Sequence, residues 1–169
     1  MKLKKQLQMG ALSLAVAVSL PALAAGTAAE EVTVMDPYVR AVPPGQPNSA
    51  AFMTLKNSGD QEYAVVSGSS PAAKVVELHT HVHQDGMMMM RQIERIDLPG
   101  GEETVLEPGG LHVMLIGLRS ELVPDETVQV TLEFNDGSTT TIDAPIRKVT
   151  GMGGMMKKKG MQGGGMMQH

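Results

Sequence analysis

Four of the five histidines in this 169-residue chain fall in two short segments. His79, His81 and His83 alternate at the end of one β-rich run and into the turn that follows it, and His112 stands in the run Leu111-His112-Val113-Met114-Leu115. Alternate residues of a strand share a face. His112 and Met114 therefore present an imidazole and a thioether on one side, about 7 Å apart along the strand. Between the two segments lies Met87-Met88-Met89-Met90, of which a strand puts two on each face. Imidazoles alone suit Zn(II) or Cu(II), whereas a soft, neutral thioether adds little to Zn, Mg or Ca binding and holds Cu(I) well. The donor types point to copper and tilt the choice to Cu(I). They leave open which methionine of the four serves, and whether His81 and His83 take part.

The composition removes most other chemistries. The chain has 15 Met and no Cys. Without Cys there is no disulfide framework, no Cys-ligated zinc or iron–sulfur site, no thiol nucleophile and no blue-copper centre, which needs a thiolate. Aromatic residues make up 2% of the chain, Trp is absent and the formal charge is −4. These values argue against a base-stacking or basic nucleic-acid surface.

The elements that must position these donors are strands. Runs rich in β-branched residues, separated by turn signals, predict strands over 32–35, 50–56, 64–67, 74–81, 87–93, 104–106, 111–116, 127–134 and 139–143. In Val128-Gln129-Val130-Thr131-Leu132-Glu133-Phe134 the even-numbered residues form an apolar face, and Asn135-Asp136-Gly137 after it is a strong hairpin signal. No window of helical period supports more than a single turn. The expected fold is an all-β Greek-key sandwich, cupredoxin-like or immunoglobulin-like.

Both ends read differently from this domain. Met1-Lys2-Leu3-Lys4-Lys5 is a short basic segment, followed by an apolar run from Met9 to Leu20 and by Ala22-Leu23-Ala24. That order is a secretory signal peptide over 1–24, and its apolar run is well short of the roughly 20 residues that span a bilayer. Residues 151–169 are Gly, Met, Lys, Gln and His alone, a composition expected to be disordered. Between them, residues 25–150 form one domain that keeps all 18 acidic residues. In the tail, Met152, Met155, Met156, Met161, Met166, Met167 and His169 offer donors for a second Cu(I) or a Cu(II) ion. The linker's effective concentration, in the millimolar range, suits delivery within the chain.

Glu77-Leu78-His79, Met90-Arg91 and the stretch from Glu107 to Leu118 together resemble the PCu(A)C family of periplasmic copper chaperones. The family pattern is a His, ten residues, a Met, twenty-one residues, then His-x-Met. His79, Met90, His112 and Met114 match it at every position. Asp36-Pro37-Tyr38-Val39-Arg40, Ser49-Ala50-Ala51-Phe52-Met53 and the run from Val128 to Gly137 extend the resemblance over nearly all of 25–150. It implies a periplasmic, monomeric carrier and not an enzyme. One Cu(I) would be held near the surface by His79, Met90, His112 and Met114. Its implied partners are the copper-bearing subunit of cytochrome c oxidase, whose binuclear copper site would receive the metal, or a Sco-type thiol protein. No nucleic-acid partner is expected, and membrane contact is expected only through the partner. A general periplasmic copper buffer or resistance protein is the alternative. The chain departs from the family after His79, where members often place Met and this chain has His81 and His83.

Overall fold

The run Thr127–Phe134 forms a strand whose even-numbered residues, Val128, Val130, Leu132 and Phe134, are all buried. It is antiparallel to Thr139–Arg147 across the expected hairpin, where Gly137 turns the chain at φ +81°. This is a computed structural model, and it describes residues 26–84 and 86–148. The segment expected to be a signal peptide, the tail and its candidate donors Met152, Met155, Met156, Met161, Met166, Met167 and His169 lie outside the described residues.

After a single helical turn, α1 (Ala28–Glu31), the chain forms ten strands among the described residues. They are β1 (Val32–Arg40), β2 (Asn48–Asn57), β3 (Tyr63–Ser69), β4 (Ala73–Gln84), β5 (Met87–Gln92), β6 (Ile96–Leu98), β7 (Glu103–Leu106), β8 (His112–Leu118), β9 (Thr127–Phe134) and β10 (Thr139–Arg147). One layer runs β5-β4-β8-β2-β1, with β7 paired to the far half of β2. The other runs β10-β9-β3-β6. They join where Val39 and Arg40 pair in parallel with Ile146 and Arg147. Between the layers, Ala51, Met53, Leu55, Leu78, Val113 and Leu115 pack into one core with Val65, Val130, Leu132, Phe134, Ile142 and Ile146. The architecture is the expected all-β sandwich.

Two elements lie outside the sequence expectation. β6 is only three residues long, too short for an alternation signal, yet it buries Ile96 and Leu98. The α1 turn starts at Thr27, whose backbone N–H donates to Glu30 at 2.8 Å, half of a Thr-x-x-Glu capping box. Strand β4 is also longer than expected. His83 lies within it, not in the turn, because pairing with β5 continues through Gln84–Met87.

Pairing register decides which residues meet on the outer face of the first layer. Leu78 and Val113 face each other and point into the core, so their neighbours His79 and His112, also directly opposite, point outwards. On the other side of β4, His81 pairs with Met90 and His83 with Met88. Cross-strand partners share a face. His79, His81, His83, Met88, Met90, His112 and Met114 therefore lie on one face, and Met87 and Met89 on the other.

Candidate metal centre

The floor of this face is aromatic. The register of β1 shifts between Met35 and Tyr38, with Asp36 in the left-handed region at φ +47°. Such a bulge re-aims the strand that carries it. It leaves Tyr38 opposite Phe52, with ring centroids 5.2 Å apart, and Phe52 in turn lies 6.2 Å from the His112 ring. His112 is only 2% exposed as a result. The expected surface site is thus a buried imidazole with an open rim.

Each of the two central imidazoles has one nitrogen tied down and one left free. His112 Nδ1 is 3.0 Å from the carbonyl oxygen of Gly110. The turn that carries Gly110 is closed by its N–H donating to the Glu107 carbonyl, with Gly109 at φ +90°, a conformation that only glycine adopts readily. His79 Nε2 is 2.8 Å from Glu77 Oε2, two residues back on the same face of β4. The remaining nitrogens, His112 Nε2 and His79 Nδ1, are buried and have no hydrogen-bond partner. A buried polar atom without a partner costs about 1–3 kcal/mol. Two of them on facing strands, with ring centroids 5.7 Å apart, are suited to sharing a metal ion. The carbonyl and the carboxylate are contacts of the kind that orient a histidine and set its tautomer where its other nitrogen ligates a metal.

The other expected donors are distributed around this pair. Met114 is half-buried on β8, between Ala50 of β2 and Glu77 of β4. Met90 is 49% exposed on the edge strand β5. The His81 ring lies 5.2 Å from that of His112, and its Nδ1 makes a long, 3.4 Å contact to the same Gly110 oxygen. His83 is exposed and stands one step further along β4. Among the described residues no three His, Asp or Glu side chains already converge as a metal-holding group. A metal at the two buried nitrogens would take its further donors from outside the His, Asp and Glu side chains as they stand, with the thioethers of this face the nearest candidates by register. Glu77, the Gly110 carbonyl and Phe52 are the supporting groups that motif spacing alone did not single out. Only Glu77-x-His79, two residues that share a strand face, carried a readable signal.

Burial lowers the pKa of His112 below the ordinary imidazole range. The Gly110 carbonyl pulls it partly back up, and nearby His81, His79 and Arg40 lower it further. The neutral form is thus favoured in the folded protein. Metal binding at Nε2 should hold as pH falls through about 6.5, the value of a free imidazole. Below the lowered folded pKa it should decline by about tenfold per pH unit for this one competing proton. The metal-free fold should also lose stability as pH falls from about 6.5 through that lower value, since the unfolded chain takes up the proton first. NMR titration of the His112 ring in the metal-free protein measures the lowered value that underlies both effects, and a midpoint above about 6.5 contradicts it.

Known proteins carry the same architecture. The copper-bound PCuAC domain from PmoF2 superposes with a TM-score of 0.59 at 23% identity, over 70% of this chain and 93% of that one. The Cu(I)-bound DR1885 of Deinococcus radiodurans, solved in solution, superposes with a TM-score of 0.60 at 38% identity, over 70% of this chain and 80% of that one. The fold is that of a PCuAC domain. The family model described as "Putative lipoprotein LpqE-like" matches residues 32–146, and the chain belongs to that family. "Putative lipoprotein Lxx21020" of Leifsonia xyli is 37% identical over 138 residues, 80% of this chain and 82% of that one. No helix among the described residues is long and apolar enough to cross a membrane.

Proposed function

We propose that the protein is an exported copper carrier. It holds one Cu(I) through His79 Nδ1, His112 Nε2 and the thioethers of Met90 and Met114, and passes it to a partner that binds copper through thiolates. The observation that carries this reading is the pair of buried, unpartnered imidazole nitrogens on facing strands. Their other nitrogens are engaged by Glu77 and Gly110. Soft neutral thioethers complete a donor set that favours Cu(I) over harder divalent ions. The copper-bound relatives support the choice of metal.

The site is asymmetric in a way that suits release. His112 is sealed against Phe52, whereas Met90 stands on an exposed edge strand. An incoming thiolate reaches copper from the β5 side and displaces Met90 first, while the two imidazoles still hold the ion. Neutral ligands let the metal leave with little proton uptake, because only the imidazoles compete for protons. The acceptor we propose is the copper-bearing subunit of cytochrome c oxidase, reached directly or with a Sco-type thiol protein. Residues 1–24 direct export as a signal peptide, and the tail 151–169 carries a second copper. X-ray absorption on the Cu(I)-loaded protein, with and without the tail, tests the core assignment. Two nitrogen and two sulfur neighbours are expected in the tail-less protein, and a first shell without sulfur overturns the thioether ligation.

A further inference from the structure

The site contains one imidazole more than a Cu(I) carrier of this pattern needs. The ring centroid of His81 lies nearer to that of His112 than the centroid of His79 does, at 5.2 Å against 5.7 Å. His81 also stands directly opposite Met90 on the same face. It therefore occupies the space between the buried pair and the exposed thioether. Its one polar contact, to the Gly110 oxygen, is 3.4 Å long, beyond the usual range of an N–H···O hydrogen bond. The ring is only half-buried, so turning it costs little packing. That same oxygen already has a better donor in His112 Nδ1, at 3.0 Å, so releasing His81 leaves no carbonyl unpaired.

We infer that His81 is a switchable third imidazole that lets this site accept Cu(II) as well as Cu(I). The inference rests on the copper reading above and concerns the oxidation state of the cargo. Cu(I) is satisfied by two imidazoles and soft sulfur, and His81 then keeps its place beside Gly110. Cu(II) prefers nitrogen and oxygen donors in a tetragonal arrangement and gains little from thioether. Turning His81 towards His112 Nε2 and His79 Nδ1 exchanges the Met90 thioether for a third nitrogen from the adjacent strand. No strand needs to move, since His81 and Met90 are already cross-strand neighbours. His83 does not share this role. It is exposed and sits one step further from His112 along β4.

The test loads the full chain with Cu(II) or with Cu(I), in a His169→Gln background that removes the tail imidazole. It compares His81→Met and His83→Gln with the parent by electron paramagnetic resonance and by chelator competition. The parent should show nitrogen hyperfine coupling from three imidazoles. In His81→Met, Cu(II) affinity should fall at least about tenfold and the coupling should drop to two nitrogens. Cu(I) affinity there should stay within about threefold, and His83→Gln should match the parent in both states. An unchanged Cu(II) spectrum and affinity in His81→Met overturns the role of His81 while leaving the Cu(I) site intact. An equal loss in His83→Gln overturns it as well, in favour of an exposed histidine cluster. A parent that takes up neither ion overturns the copper reading itself.

Discussion

His112→Leu is expected to cost the protein its copper while sparing its fold. Losing even an outer-shell partner of a ligating histidine typically lowers metal affinity about 10–100-fold. Removing the ligand nitrogen itself should exceed the upper end of that range for Cu(I). The effect on the metal-free protein runs the other way. His112 is buried against Phe52 with Nε2 unpartnered, and that unmet group costs about 1–3 kcal/mol. Leu fills a similar volume without it. The Gly110 oxygen loses its donor at Nδ1, a debit of about 1 kcal/mol, so the two effects nearly cancel. His112→Ala is different. It leaves a hole beneath the sheet face and should lose about 2–4 kcal/mol, as large-to-small core changes do. Chelator competition and chemical denaturation of both variants measure the two quantities. Retained Cu(I) affinity in His112→Leu, or a stability loss equal to that of His112→Ala, contradicts the account.

Such a divergence between stability and binding follows from how the face is built. The bulge at Asp36 and the Tyr38–Phe52 stack hold the floor, while Glu77 and Gly110 hold the two rings by their outer nitrogens. The fold therefore buries two ring nitrogens that have no hydrogen-bond partner within the protein. Bound copper returns that cost, because a ligand that binds only the native state stabilises it in proportion to its affinity.

The strand that carries His112 and Met114 was legible in the sequence, and so was the hairpin at Asn135-Asp136-Gly137. Both depend on local alternation and turn chemistry. β6 was not legible, because three residues cannot show a period. Neither was the burial of His112, which comes from Phe52 and Tyr38 on strands far upstream and from a bulge that no composition signal marks. The length of β4 was missed for a related reason. Cross-strand pairing with the methionine run keeps His83 in the strand, and that pairing exists only once β5 forms. The family pattern that His79, Met90, His112 and Met114 resemble picks out one methionine of four, and the register places Met90 on the same face as the four imidazoles. It places Met88 there too, which spacing alone did not reveal.

That register makes the methionine run a direct test of the site. Met90→Leu should lower Cu(I) affinity by about 10–100-fold, equivalent to roughly 1.4–2.7 kcal/mol. Met87→Leu and Met89→Leu, whose side chains emerge on the opposite face, should change it by no more than about threefold. None of these exposed positions should alter folding stability by more than about 0.5 kcal/mol, since Leu and Met are close in volume and surface changes are mild. The informative competitor is Met88→Leu. Met88 shares the metal face opposite His83, and its methyl group lies close enough to Gly109 that a Cβ added there would meet it at 3.9 Å. It can therefore lean over the turn that holds His112. A larger loss in Met88→Leu than in Met90→Leu would move the third ligand two residues along β5 and keep the face. A loss in Met89→Leu equal to that in Met90→Leu would break the register itself, because adjacent residues of a paired strand cannot both reach one side of the sheet.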